Sequence, residues 1–299
     1  MTILTPTQDS LRAGLFMVAS AASFVTNDTF VKLLGGSVPV GEIIAVRGVM
    51  SAALLGAVCI RKGLFLATPS ILSPSVLARS AFDLFATFLF ITALIHMPIA
   101  NLTSIIQTVP LAVIVMAFMF LGERVGWRRL SAVIAGFIGV LLIARPAPQS
   151  FTIYDGLALV IVFTAAIRDI ITRRIPASIP SLIVAFANAL LVTAGGFVFG
   201  LFEGFVPLEP WQFGCLAVAS LFLGLGYAFI VMTLRLGEIS VSAPFRYVNV
   251  VFSIFSGALV FGEYPDVAAL AGMALIVASG LYTIHRDRML KGIARMHKR

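Results

Sequence analysis

The sequence predicts an all-α polytopic membrane protein whose ten transmembrane helices form two inverted repeats of five helices. Three observations predict this fold. Hydrophobic residues make up 60% of the 299 positions and charged residues only 11%, which is less than half of the charged share of soluble proteins. Ten apolar segments are long enough to cross a bilayer. Several sequence features recur at an offset near 140 positions.

The ten predicted spans are separated by short linkers that contain Pro, Gly or charged residues. Each span approaches the roughly 17–25 residues that a helix needs to cross the hydrocarbon core. The first run continues past its small-residue stretch "VASAAS", so it is predicted to be a retained span rather than a cleaved signal. The spans lie at 12–35, 39–60, 75–96, 99–121, 128–145, 153–174, 180–202, 211–234, 239–261 and 266–285.

The distribution of basic residues predicts the orientation of the chain. With the N-terminus inside, the inner loops and termini hold 15 Lys and Arg residues, whereas the outer loops hold 2. This asymmetry predicts that both termini lie in the cytoplasm. The net charge of +8 therefore belongs to cytoplasmic loops and the tail, and nucleic acid is not a predicted partner.

Two acid-then-base pairs and two "GE" strings indicate an internal repeat. The strings "FMFLGE" and "ALVFGE" recur at an offset of 140, and the two pairs recur at an offset of 141. An odd number of spans in each half makes the second half enter the membrane from the opposite side, as in many secondary transporters. The pairs are Asp28 with Lys32 and Asp169 with Arg173. The predicted divisions are repeat one at 1–146, repeat two at 147–287 and a basic cytoplasmic tail at 288–299.

The same stretches resemble the drug/metabolite transporter superfamily and, within it, the EamA family. The resemblance is carried by "SFVTNDTFVKLL", by the arginine of "IIAVRG" and by "ALIHMPIANLTSIIQTVPLAVIVMAFMFLGE". It implies that the first four spans of each half surround a central cavity. It also implies transport of a metabolite, since members include amino-acid exporters and carriers of S-adenosylmethionine or riboflavin. The second half departs from the first, because Asn188 stands where Arg47 would repeat.

Ionisable residues within predicted spans are candidate gates or buried ion pairs, because a charge in hydrocarbon is costly. The two repeated pairs either close the outer and inner gates or anchor helix ends at the membrane interface. Arg79 and Asp83 are four residues apart and are expected to pair. Arg47 is expected to cross-link helices, with a substrate carboxylate as its alternative partner. The full set is Asp28, Lys32, Asp169, Arg173, Arg47, Arg79 and Asp83.

The fourth and ninth spans are predicted to be walls of the substrate cavity. Pro110 interrupts the helical hydrogen bonds of the fourth span and leaves carbonyl groups free. At an offset of 140, Gln107 corresponds to Tyr247, so both are predicted to contact substrate, with interhelical hydrogen bonds as the alternative. The candidates are Gln107, Tyr247, Thr108, Asn249 and Arg246, with Asn27 and Tyr227 as secondary members.

Together with the resemblance, these features predict a secondary transporter that exports amino acids, with uptake of S-adenosylmethionine or riboflavin as the alternative. No G-x-x-x-x-G-K-[ST], H-E-x-x-H or G-x-S-x-G motif is present, so neither an enzyme nor a metal or cofactor is predicted. Each intramembrane aspartate has a basic neighbour that keeps it ionised, which favours facilitated diffusion over proton coupling. The predicted partners are a small molecule and lipid. A monomer is predicted to be sufficient for transport. The glycines of "GFVFGLFEG" would also permit close helix contacts in a dimer.

Overall fold

The computed structural model describes residues 6–64, 70–121, 127–144, 152–176, 178–236 and 247–296. Within these ranges the regular secondary structure is helical, and no strand occurs. The prediction of an all-helical chain is therefore confirmed for the described residues.

The described residues form eleven α-helices and one π-helix in chain order. Long helices α2, α3, α8 and α9 match predicted spans within a few residues. The helices are α1 (Pro6–Leu33), α2 (Val40–Arg61), α3 (Pro74–His96), α4 (Ile99–Ile106), α5 (Val109–Leu121), α6 (Trp127–Ala144), α7 (Ile153–Arg173), α8 (Ser181–Glu203), α9 (Pro210–Leu236), α10 (Val248–Ser256), the π-helix Gly257–Phe261 and α11 (Val267–Met296).

Six helical segments among the described residues are long and apolar enough to cross a membrane. Shorter apolar helices cover Val133–Ile143, Val248–Phe261 and Val267–Tyr282. Helix α7 is in neither set, although its 21 residues are long enough for a span. It carries four charged residues, Asp155, Arg168, Asp169 and Arg173, which are more than any of the six apolar segments holds. The structure thus describes a polytopic membrane protein, while the total of ten spans stays a prediction.

The fourth predicted span is broken in the structure. Helix α4 ends at Ile106 and α5 begins at Val109. Pro110 has no N–H, so the carbonyl of Ile106 loses its helical donor. The hydroxyl of Thr108 donates to the carbonyl of Ile105 at 2.6 Å. The interruption predicted within the span 99–121 is therefore confirmed, and it takes the form of two helices joined by a turn.

Contacts between Cα atoms divide the chain into two compact units, and each unit draws on both halves of the sequence. The α2–α8 unit consists of Thr26–Met97 and Thr152–Gly224. The α4–α11 unit consists of Met1–Val25, Pro98–Phe151 and Leu225–Arg299. The sequence repeats with a boundary between 146 and 147 stay a prediction.

Glycines bring α2 and α8 close together in the α2–α8 unit. A Cβ atom built on Gly196 would lie 2.6 Å from the backbone nitrogen of Ala45, and one built on Gly41 would collide with the backbone of Gly200. Only residues without a side chain permit this approach. The glycine spacing of α8 therefore serves packing within one chain.

Two glutamates join the end of α8 to the start of α2. The amide of Gly41 donates to Glu203 Oε2 at 2.6 Å, and the amide of Val206 donates to Glu42 Oε2 at 3.0 Å. The first bond satisfies an N–H at the start of a helix, which has no partner within the helix itself. A carboxylate at a helix N-terminus is also stabilised by the positive end of the helix dipole.

A third glutamate caps α4 in the α4–α11 unit. The amide of Ile99 donates to Glu263 Oε2 at 3.0 Å. The chain reaches this position because Gly262 has a φ of +65°, a left-handed conformation that favours glycine. The second "GE" string therefore has a structural reason: its glycine reverses the chain and its glutamate caps a helix of the other half.

Candidate transport site

A first polar cluster in the α2–α8 unit joins α1 to α2. Arg47 is 8% exposed, and its Nη1 donates to Asn27 Oδ1 at 3.2 Å. The amide of Asn27 donates in turn to Asp28 Oδ1 at 2.8 Å. Arg47 thus cross-links two helices, as the sequence predicts, and the side-chain oxygen of Asn27 accepts its hydrogen bond.

A second polar cluster joins α3, α7 and α8 around one guanidinium group. Nη1 of Arg168 donates to Asp83 Oδ1 at 2.6 Å, and its Nε and Nη2 donate to Asp169 Oδ1 at 3.0 and 2.9 Å. The amide of Asn188 donates to Asp83 Oδ2 at 2.6 Å. Charge-assisted bonds of this kind are shorter and stronger than neutral ones. They hold three helices at one point.

The two clusters are related by the sequence repeat, with the arginine and the asparagine exchanged. At an offset of 141, Asn27 corresponds to Arg168 and Arg47 corresponds to Asn188. Each half therefore keeps one guanidinium and one amide on its first two helices, but on opposite members of the pair. This exchange accounts for the absence of an arginine at 188. Asp83 then supplies a carboxylate for Arg168.

Arg79 does not pair with Asp83, which corrects the prediction for these two residues. Its Nε donates to Thr172 Oγ1 at 3.1 Å, and that hydroxyl donates to the carbonyl of Arg168 at 2.7 Å. The reason is competition for Asp83, since Arg168 and Asn188 each occupy one of its oxygens. Interhelical donors thus displace the neighbour on the same helix.

The repeated acid–base pairs have different surroundings in the structure. Nζ of Lys32 donates to the carbonyl of Met97 at 2.6 Å, which ties the end of α1 to the chain that follows α3. Asp28 accepts its hydrogen bond from Asn27, whereas Asp169 is paired with Arg168. The side chain of Arg173 lies outside the described residues.

Most cavity candidates from the sequence belong to the α4–α11 unit. Gln107 ends α4 with its side chain buried. Tyr247 is 7% exposed, and its hydroxyl lies against Gly280 of α11, where even a Cβ atom would collide with it. Asn249 has a buried Oδ1 without a hydrogen-bond partner among the described residues. Arg246 lies outside the described residues.

Two secondary candidates are separated by the division into units. Tyr227 on α9 is 46% exposed and meets Phe24 edge to face, with ring centroids 5.4 Å apart. Both rings belong to the α4–α11 unit. Asn27 instead belongs to the α2–α8 unit with Arg47. Gln107, Thr108 and Tyr247 therefore lie in the same unit as Tyr227, whereas Asn27 lies in the other unit.

Sequence reasoning missed the partners of several named residues. Arg168 is not among the predicted site residues, yet it organises the second cluster. Thr172 was not singled out, although it holds Arg79. One signal was available for Arg168, because the offset of 141 places it opposite Asn27. No pattern in the sequence marks Thr172.

The apolar helices and the charged clusters between them indicate a polytopic membrane protein. The model of the EamA-like transporter family matches residues 11–145 and 152–284. The chain therefore belongs to the EamA-like transporter family, and the resemblance found in the sequence is confirmed. The family model thus matches the chain twice in tandem.

Several curated relatives are transporters of metabolites. A pseudopaline exporter of Pseudomonas aeruginosa is 23% identical over 273 residues, which cover 91% of this chain and 95% of the relative. An S-adenosylmethionine uptake transporter of Rickettsia felis is 24% identical over 204 residues, 67% of each chain. A riboflavin transporter of Brucella anthropi is 29% identical over 206 residues, 66% of this chain and 72% of the relative. These relatives support a small-molecule transporter of a bacterial membrane.

A solved crystal structure shares the fold of this chain. It covers 96% of this chain and 99% of its own length, with a TM-score of 0.63 and 17% sequence identity. At this identity the likeness concerns the fold alone.

Proposed function

We propose that this member of the EamA-like transporter family is a secondary transporter that exports amino acids across the bacterial cytoplasmic membrane. The observation that carries the proposal is the group of charged side chains around the second polar cluster of the α2–α8 unit, within helices that are otherwise apolar. Arg79 contacts no carboxylate among the described residues, and Asp169 keeps one carboxylate oxygen that accepts no hydrogen bond from them. An amino acid carries both charges and complements such groups, whereas an uncharged metabolite does not.

The proposed mechanism is alternating access of the two sequence repeats at 1–146 and 147–287. Inverted repeats can exchange conformations, which converts an inward-open state into an outward-open state of similar energy. Candidate substrate contacts are Gln107 and Tyr247, next to the break of the fourth span and the start of α10. Free backbone groups at such breaks are the usual places for substrate and ion contacts in transporters.

The proposed gates are the repeated acid–base pairs near the two ends of the membrane. For Lys32, the bond to the carbonyl of Met97 ties α1 to the chain after α3, which suits either a gate or a fixed anchor. Accessibility of a cysteine near this end separates the two roles. One chain carries all of these residues, so a monomer is sufficient for the proposed function.

Uptake of S-adenosylmethionine or riboflavin is the alternative function. The relatives from Rickettsia felis and Brucella anthropi favour it through their names, over about two thirds of this chain. The pseudopaline exporter favours export and is matched over 91% of this chain. The longer match is the reason for ranking export first.

Flux measurements with the full chain reconstituted in liposomes test the proposal. Labelled amino acids, S-adenosylmethionine and riboflavin are loaded separately, and their efflux is compared with that of protein-free liposomes. Amino-acid efflux above the background is expected. Flux of S-adenosylmethionine or riboflavin together with no amino-acid flux would exclude amino-acid export.

A further inference from the structure

We infer that Arg79 and Asp169 bind the carboxylate and the ammonium group of a zwitterionic substrate. The two residues lie at the end of the α2–α8 unit where α3 begins and α7 ends. The inference deepens the proposed function and rests on it. It differs from the gate or ion-pair role that the sequence predicts for both residues.

Arg79 has a buried N–H group without a hydrogen-bond acceptor among the described residues. Its only hydrogen bond among the described residues runs from Nε to the neutral hydroxyl of Thr172. Its Nη1 is buried and has no partner among those residues. A guanidinium that has lost water without gaining an acceptor is in an unfavourable state. A substrate carboxylate would supply that acceptor, and the planar guanidinium suits two parallel contacts with it.

The other intramembrane arginines of the α2–α8 unit are already held by protein groups. Arg47 is buried against Asn27, and Arg168 donates to two carboxylates. Neither can accept a substrate carboxylate without giving up these bonds. Arg79, by contrast, is held among the described residues only by the neutral hydroxyl of Thr172.

Asp169 offers the complementary charge. Both hydrogen bonds from Arg168 end on its Oδ1, and its Oδ2 accepts none among the described residues. Its side chain is 42% exposed, compared with 11% for Asp83. Asp83 also uses both of its oxygens, for Arg168 and Asn188. An incoming ammonium group can therefore reach Asp169 but not Asp83.

The distance between the two groups suits an amino acid. Asp169 and Thr172 are three residues apart on α7 and share one face, with Cβ atoms about 5–6 Å apart. Arg79 reaches that face from α3 through its bond to Thr172. The arginine and the free carboxylate oxygen therefore lie about one helical turn apart. The ammonium and carboxylate groups on one α-carbon can contact both.

The charges around this site favour a ligand without net charge. Arg79 and Arg168 carry two positive charges, and Asp83 and Asp169 carry two negative charges. With Arg168 balanced by Asp83, Arg79 and Asp169 remain as one charge of each sign. A zwitterion pairs both and leaves the balance unchanged, whereas an amine or an acid alone adds one net charge to the site.

Substrate analogues combined with two variants test this assignment. The probes are L-leucine, L-phenylalanine and L-threonine, each as the free amino acid, the methyl ester and the N-acetyl derivative. The ester lacks the carboxylate charge and the N-acetyl form lacks the ammonium charge. Flux is measured in liposomes that contain the full chain, Arg79→Gln, Asp169→Asn or the control Arg174→Gln. Arg174 is an exposed arginine one residue after α7.

The expected pattern is specific to each variant. The unchanged protein and the control prefer the free amino acid over both analogues by about 10- to 100-fold, the effect of one hydrogen bond to a charged group. Arg79→Gln loses the preference over the ester and keeps the preference over the N-acetyl form. Asp169→Asn shows the reverse. If both variants keep both preferences, the assignment is wrong while amino-acid transport stands.

Two further results separate this inference from the proposed function. Flux of riboflavin alone overturns both, because riboflavin carries neither an ammonium nor a carboxylate group. S-adenosylmethionine carries both groups, so its flux without amino-acid flux overturns only the amino-acid proposal, provided that Arg79→Gln slows it. Arg79→Lys keeps the charge and guards against a folding defect: it should retain part of the preference over the ester. Equal flux of acid and ester through the unchanged protein contradicts the inference without any variant.

Discussion

Arg47 shows how a single buried charge is kept in an apolar helix. The residue is 8% exposed, and the carbonyl oxygen of the Asn27 side chain accepts from its guanidinium. Asn27 is itself buried, and its amide group donates a hydrogen bond to Asp28 Oδ1. The three residues act as one unit, so removing one leaves polar groups of the others without a partner.

We expect Asn27→Ala to destabilise the protein by about 1.5–3 kcal/mol, the usual contribution of a hydrogen bond to a charged group. The loss is measured by denaturant unfolding of the purified protein in detergent. Arg174→Gln, which changes an exposed arginine, should stay within about 0.5 kcal/mol. Equal stability of Asn27→Ala and the control would show that Arg47 does not depend on Asn27.

Gln107 and Tyr247 test whether the matched positions of the fourth and ninth spans contact substrate. We expect Gln107→Ala and Tyr247→Phe each to reduce flux by about tenfold, which corresponds to one lost hydrogen bond. Phenylalanine preserves the packing of the ring against Gly280 and removes only the hydroxyl. Flux is measured at equal amounts of reconstituted protein. Unchanged flux in both variants would assign the two side chains to packing between helices.

The sequence predicts that two side chains pair only where a spacing or a repeat indicates the pair. The exchange of arginine and asparagine between the two halves is visible in the repeat, and it marks Asn27, Arg47, Arg168 and Asn188 as related positions. The partner of Asp83 could not be predicted, because Arg79 lies four residues before it on the same helix and is the partner that the helical spacing indicates. Arg168 prevails through contact between α3 and α7, and such contact depends on helix packing rather than on spacing within one helix.

Glu263 illustrates how the end of one helix can stabilise the start of another. Its carboxylate accepts from the amide of Ile99, which is the first residue of α4. We expect Glu263→Ala to destabilise the first turn of α4 by about 1 kcal/mol, as the loss of an N-terminal cap does. Hydrogen exchange of the amides at the start of α4 should become faster by about fivefold.

Glu209→Ala is the matched control for the cap. The carboxylate of Glu209 accepts from the indole of Trp211, a neighbour in sequence, so its loss leaves α4 unchanged. Glu263→Gln keeps a neutral acceptor and should lie between the other two variants. Exchange of the α4 amides at the same rate in all of them would show that the cap contributes nothing.

The long apolar helices could be predicted because the length of an apolar segment can be counted directly from the sequence. Helix α3 begins and ends within one residue of its predicted span, and α8 does so as well. The break at Gln107 was only half visible: Pro110 signals the lost hydrogen bond, but the two-residue turn depends on local backbone geometry. The π-helix at Gly257–Phe261 had no signal, because it depends on how Gly262 turns the chain.

At the scale of the whole molecule, the repeat predicts that the two acid–base pairs act as gates at the two ends of the membrane. If Lys32 belongs to a gate, Lys32→Ala should increase labelling of a cysteine placed at Ser37, four residues after α1, by a reagent that cannot cross the membrane. The loss of its bond to Met97 is the physical reason. Labelling rates are compared with those of the same cysteine in the unchanged chain. Identical rates would assign Lys32 to anchoring.

The most direct measurement for the central claim is counterflow in liposomes that contain neither ATP nor an ion gradient. A carrier with alternating access exchanges labelled external amino acid for unlabelled internal amino acid, because the loaded site returns to the other side. The account predicts transient accumulation of label that depends on the unlabelled substrate inside. Label that enters at the same rate with and without internal substrate would contradict alternating access.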